Sequence, residues 1–140
     1  MAFCNLTYTS PYPAKMIGHL LFDSLKIQSR ELPVSDILEE RLEQVVQLIQ
    51  NWDENLEAEI LAENFYLDMS REDRMSEIQE VLDEAGTILE LNEEEPYNQL
   101  RGHFKYQTEN GFLSIYFTLS PEKMPRVQDL YVSFQSKDSQ

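Results

Sequence analysis

Few side chains in this sequence do chemistry by type alone. There are two histidines, His19 and His103, and one cysteine, Cys4, scattered along 140 residues. A structural zinc site takes about four Cys or His ligands, or three with a carboxylate, so this set argues against one. His19 and Asp23 stand four apart in a helical stretch and share a face as a pair rather than as ligands. Glu93-Glu94-Glu95 has neither the alternation nor the glycine of a calcium loop and reads as solvated loop. Ser120-Pro121-Glu122-Lys123 spells the Ser-x-x-Lys in which a lysine one turn on takes the proton of a helix-opening serine. Here the serine ends a strand, Pro121 and Pro125 follow, and the partner motifs Ser-Asp-Asn and Lys-Thr-Gly are missing. The segment reads as a turn. No phosphate-cradling glycine loop, dinucleotide fingerprint or Gly-x-Ser-x-Gly elbow occurs. The sequence thus implies neither metal nor cofactor, and names no catalytic residue outright.

What remains is a set of polar tips near apolar runs: Tyr66, Asp68, Arg101, His103, Tyr106, Tyr116 and Gln128. Were a curled sheet to enclose them, a carboxylate inside would be desolvated and its pKa raised. Asp68 or His103 is then the candidate base, and Arg101 or Tyr106 the candidate oxyanion holder. The plainer reading is that polar strand residues face water and that Arg101 pairs with a carboxylate.

The elements that must position these residues are legible in the pattern. Residues 1–13 end in Ser10-Pro11-Tyr12-Pro13, which forbids a helix and favours an extended lead-in. Met16, Ile17, Leu20, Leu21, Leu25 and Ile27 recur at helical spacing over 14–27. After Pro33, Ser35 or Asp36 can cap a helix whose stripe is Ile37, Leu38, Leu42, Val45, Val46 and Ile49. Asn51-Trp52-Asp53 breaks it and caps a shorter helix with Leu56, Ile60 and Leu61. Asn64 to Asp68 reads as an extended link. Ser70 to Asp73 opens a fourth helix in the manner of a capping box, with Asp in place of the preferred Glu. That helix carries Met75, Ile78, Val81 and Leu82, and stops at Gly86.

From Thr87 the period becomes two. Asn110-Gly111 between alternating runs is a strong hairpin signal. Leu100, Gly102, Phe104 and Tyr106 share one face before it; Leu113, Ile115, Phe117 and Leu119 do so after it. Leu130, Val132 and Phe134 alternate in a last strand, and 135–140 reads as a frayed tail. Helices followed by antiparallel strands predict one α+β domain over 14–134, with the helices packed on a curved antiparallel sheet. With four glycines in the chain, curvature falls to Gly102 or to bulges.

Charge bounds the partners. The net charge is −15, and residues 31–95 hold 21 acids against 3 bases, whereas 96–140 is close to neutral. Acidic surfaces disfavour nucleic acid and anionic membranes. They keep a protein in solution or meet a basic partner. No apolar run approaches the roughly 18 residues of a span, no signal-peptide pattern opens the chain, and a lone cysteine suits a reducing cytoplasm.

The segment Pro11-Tyr12-Pro13-Ala14-Lys15-Met16-Ile17-Gly18-His19-Leu20-Leu21 resembles the stretch that leaves the catalytic domain in some bacterial serine hydrolases of the β-lactamase class. Ala62 to Asp68, Asn98 to Gly102 and Phe117 to Glu122 resemble the small accessory domain that follows. That domain is similar to the NTF2-like (cystatin-like) cone. The resemblance implies a non-catalytic accessory module, either standing alone or cut from a longer protein, since the hydrolase's nucleophilic domain is absent from this chain and no catalytic residue carries over. It also implies three kinds of partner: a second copy through the outer sheet face, with Phe112, Tyr116 and Tyr131; a separate serine hydrolase domain; or a small apolar ligand in the cone. The alternative it leaves open is a small isomerase or hydrolase built on the polar residues above.

Overall fold

The computed structural model describes residues 33–137. The expected lead-in 1–13 and helix 14–27, with Cys4, His19 and Asp23, lie outside the described residues, as does 138–140. Three helices, α1 (Asp36–Gln50), α2 (Glu54–Ile60) and α3 (Arg71–Ala85), precede four strands, β1 (Ile88–Asn98), β2 (Arg101–Thr108), β3 (Gly111–Leu119) and β4 (Val127–Ser136). The strands form one open antiparallel sheet in the order β1-β2-β3-β4. The α+β architecture therefore follows the order read from the sequence.

The amphipathic stripe of α1 buries Leu38, Leu42, Val45 and Ile49 as expected, and adds Leu48. These join Ile60, Phe65, Ile78 and Ala85 against Phe104, Leu113, Ile115, Phe117, Leu119, Val127 and Leu130 of the sheet in one core. Each fully buried Leu, Ile, Val or Phe among them contributes about 1.5–3 kcal/mol relative to exposure. Along β3 buried and half-buried residues alternate without a break, so one face of the sheet belongs to the core.

The caps have different fates. Asp53 caps α2, accepting from the amides of Asn55 and Leu56 at 3.0 and 2.9 Å. Ser70 caps α3 by accepting from the amide of Asp73, and its hydroxyl donates to the Asp73 carboxylate at 2.8 Å. Ser35 precedes α1 without a side-chain cap; its hydroxyl donates instead to Gln99 O at 2.8 Å, between β1 and β2. Gly86 ends α3 at φ +74° with an extended ψ of −154°. The sign of φ is the expected one, but the position is not left-handed helical; it belongs to a region essentially restricted to glycine.

Three expectations need correction. Residues 64–68 are turns, not an extended link: Phe65 is pulled into the core, and Asp68 is drawn back to Arg74 at 3.0 Å. Glu93-Glu94-Glu95 is not loop but the middle of β1, where all three residues pair with β2. β1 is an edge strand exposed along nearly its whole length, so ladder hydrogen bonds hold it and no apolar alternation marks it. The supposed tail at Gln135 and Ser136 pairs with Phe112 and Gly111 in β4.

The hairpin is where Asn110-Gly111 places it, but Gly111 opens β3 rather than turning the chain. A Cβ there would stand 2.1 Å from Gln135 O and 2.7 Å from the Phe134 ring. Close approach of β4, rather than positive φ, demands the glycine. Bending comes from bulges: β1 shifts register three times against β2, and β4 shifts once between Asp129 and Val127.

Candidate functional site

The face of the sheet away from the core carries Arg101, His103 and Lys105 of β2, Phe112, Ser114, Tyr116 and Thr118 of β3, and Asp129, Tyr131, Ser133 and Gln135 of β4. Strand parity puts them there once the alternate residues are buried. Across this face runs a row of aromatic rings. Tyr116 lies between Tyr97 of β1 and Tyr131 of β4, with 6.0 Å between ring centres on each side. Tyr97 is 48% and Tyr131 59% exposed. Lys105 sets its Nζ 4.5 Å above the centre of the Phe112 ring, a cation–π contact that shields one face of that ring. Thr118 donates to the Asp129 carboxylate at 2.8 Å.

Phe112, Tyr116 and Tyr131, expected together on the outer face, do share it. Tyr97 was missed. With Glu93–Glu95 read as loop, β1 had no parity, and the irregular register between Pro96 and Asn98 is what turns Tyr97 toward Tyr116.

The seven polar candidates are spread over several places. Arg101, His103 and Tyr116 lie on the outer face. Tyr106 lies on the opposite, core-side face of β2, where burial first and then the charges of Glu94 and Glu43 raise its pKa. Gln128 sits at the β4 bulge, beside a cleft of about 610 Å³ between residues 62–64 and the β3–β4 connection. Asp68 is an exposed carboxylate paired with Arg74. Arg101, expected to pair with a carboxylate, makes no ion pair among the described residues; it borders a shallow cleft of about 640 Å³ with Thr118, Leu119 and Asp129. His103 and Tyr106, three apart on one strand, point to opposite faces. Among the described residues no group of three or more His, Cys, Asp or Glu could hold a metal ion.

Tyr66 belongs to a network that sequence reasoning did not find. The Glu57 carboxylate, 12% exposed, accepts from Trp52 Nε1 at 2.9 Å, from Tyr66 Oη, and from Arg71 through Nε at 2.8 Å and Nη2 at 2.8 Å. The Arg71 hydrogen bonds hold the Glu57 pKa below the usual carboxylate range against the opposing effect of burial, with help from Tyr66 and Trp52. Burial first, then the hydrogen bond to Glu57 and its charge, push the Tyr66 phenol well above its ordinary value. A carboxylate with four donors and a depressed pKa is a poor base. The arrangement is a latch between α2 and the start of α3. Helical spacing could not reveal it, because Glu57 and Arg71 are 14 residues apart.

Two arginines are buried, also unforeseen. Arg41 donates from Nε to Pro125 O at 3.0 Å, and Arg74 from Nη1 to Leu130 O at 3.1 Å. Arg74 also lays its guanidinium 4.7 Å from the centre of the Phe65 ring. Ser120 uses its hydroxyl to accept from the Arg126 amide at 3.0 Å and is itself buried, closing the β3–β4 turn. The Ser-x-x-Lys spelling is thus part of a turn, as its prolines implied. No described helix is long and apolar enough to cross a membrane.

No family model, curated protein or solved structure matches the chain.

Proposed function

We propose that this chain is a non-catalytic binding module of the NTF2-like kind, and that its working surface is the tyrosine-bearing outer face of the sheet, which meets a second copy of the same chain. The observation that carries this reading is the row Tyr97–Tyr116–Tyr131, with two of its three rings about half exposed. Tyrosine supplies large contact area at low entropic cost and is enriched at interface centres. Charge favours the same surface. With a net charge of −15, two copies repel over the helical surface, whereas the outer face offers Arg101 and Lys105 beside its aromatics. The resemblance to accessory domains of serine hydrolases agrees with a role in holding proteins together rather than in turnover.

Sedimentation at micromolar concentration tests it. The wild type is expected to sediment above the 16.5 kDa of one chain, and Tyr116→Glu to halve that mass. A monomeric wild type, or a Tyr116→Glu variant of unchanged mass, overturns the reading.

A further inference from the structure

Arg126 differs from the other described arginines that are drawn away from water. Arg41, Arg71 and Arg74 each reach a carboxylate. Arg126 is half-buried, yet its guanidinium makes no hydrogen bond and no ion pair among the described residues. The chain holds 26 acids against 11 bases, so acceptors are not scarce. Withdrawing a charge from water costs free energy that a partner offsets.

The surroundings of Arg126 indicate the partner. It lines the cleft of about 610 Å³ between residues 62–64 and the β3–β4 connection, a volume in the range of small-molecule sites. Two polar side chains form a floor with it. Ser120 is buried, and its Oγ accepts from the Arg126 amide at 3.0 Å, which leaves its own O–H to donate. Gln128 is the extra residue of the β4 bulge: Thr118 pairs with Asp129 and Leu119 with Val127, so Gln128 has no opposite number on β3. Bulges re-aim side chains in this way. Gln128 lines the cleft with its side-chain amide unbonded among the described residues. The floor is held before any ligand arrives. Ser120 N donates to Arg126 O at 2.7 Å, Ala62 N to Val127 O at 2.9 Å, and Arg41 Nε to Pro125 O at 3.0 Å. Such preorganisation lowers the entropic cost of binding.

Charge selects among ligands. A guanidinium fork with two neighbouring donors fits a carboxylate or a phosphate. Glu63 and Glu122 are exposed at the rim of the same cleft, and neither is within ion-pair distance of Arg126 or Lys123. They repel a doubly charged phosphate and suit an ammonium group. At a net charge of −15 a free anion also approaches against the field of the whole chain, whereas a zwitterion does not. Ala62 and Met124 add apolar lining. We infer that this cleft binds a small zwitterion, an amino acid or short peptide. Its carboxylate lies on Arg126, Ser120 and Gln128, and its ammonium turns toward Glu63 or Glu122.

Titration of the full chain, followed by amide NMR, tests this. The probes are L-leucine and L-leucyl-L-alanine. Beside them stand isocaproate (leucine without its amine), isopentylamine (leucine without its carboxylate) and inorganic phosphate. Leucine or the dipeptide is expected to shift the amides of Ser120, Arg126 and Gln128, with a dissociation constant on the order of 0.1–1 mM. Isocaproate, isopentylamine and phosphate are each expected to bind about tenfold more weakly or worse, since each leaves one charged side of the cleft unmet. Arg126→Gln is expected to weaken leucine about tenfold. Its melting temperature is expected to stay near that of the wild type, because the side chain bonds nothing in the free protein. Arg126→Lys, which keeps the charge and loses the fork, serves if that variant does not fold. No shift at these amides with leucine or the dipeptide at about 10 mM overturns the inference. So does isocaproate, isopentylamine or phosphate binding as tightly as leucine, or an Arg126 variant that binds like the wild type. The cleft shares no residue with the tyrosine-bearing face, so either reading can fail alone.

Discussion

Glu57 shows how one residue can be held by chemistry that its neighbours in sequence do not announce. Its carboxylate collects donors from Trp52, Tyr66 and Arg71. Glu57→Gln removes the charge that Arg71 meets in a two-pronged contact, at an expected cost of about 1–3 kcal/mol in chemical denaturation. The pH dependence follows from the shifts. The folded-state pKa of Glu57 lies below its ordinary 4.5, so its contribution is present above that value and is lost as pH falls through the folded pKa. The Tyr66 phenol is raised from 10.0, so ionisation above that range also opposes the fold. Wild-type stability is therefore expected to be flat between about pH 5 and 9 as far as these groups are concerned, and to decline outside it. In Glu57→Gln the acid-side decline is expected to be shallower; an unchanged acid limb in a urea series would show that Glu57 is not its source.

Elements in this protein are fixed as much by close approach as by propensity. Gly111 lies at the first pair of β3 with β4, where any Cβ meets backbone rather than a flexible tip. Gly111→Ala is expected to separate the strands locally and cost about 1–3 kcal/mol, the usual range for overpacking. A thermal melt reads it, and amide exchange is expected to rise first at Phe112 and Gln135, the pair next to Gly111. An equal loss of protection throughout β2 would instead point to a turn defect. The same element scale explains β1. Its eleven residues are held by pairing to β2, while water wets both faces. A strand of that kind needs no apolar alternation, and Glu93-Glu94-Glu95 gives none.

At the scale of the whole molecule, charge is divided between regions. Four of the 21 acids in residues 31–95, Glu90 and Glu93 to Glu95, belong to β1, so the acidic surface extends over the helices and one edge of the sheet. The outer face and the β4 edge carry less of it. Self-repulsion at −15 costs stability that salt returns. Raising NaCl from about 20 to 150 mM, which shortens the screening length from roughly 20 to 8 Å, is expected to raise the melting temperature by roughly 2–5 °C. A melting temperature that falls with salt would mean that attractive pairs such as Glu57–Arg71 outweigh the repulsion.

Much of this architecture follows from local pattern. The period of apolar residues determined the described helices, because a stripe at 3.6 residues has one way to meet a core. Alternation determined β2, β3 and β4 for the same reason, and the aromatic outer face follows from their parity. Tertiary structure alone decided the rest. Arg41 and Arg74 are buried because carbonyls distant in sequence, Pro125 O and Leu130 O, accept from them. Glu57 becomes a latch because α2 and α3 bring Trp52, Tyr66 and Arg71 around it. The seven polar residues read as candidates for one pocket are instead divided between two faces, a bulge and the α2–α3 connection. Sequence spacing fixes which side of a strand a residue takes. Which sides meet, and which are left for a partner, depends on packing between elements that the chain brings together only when folded.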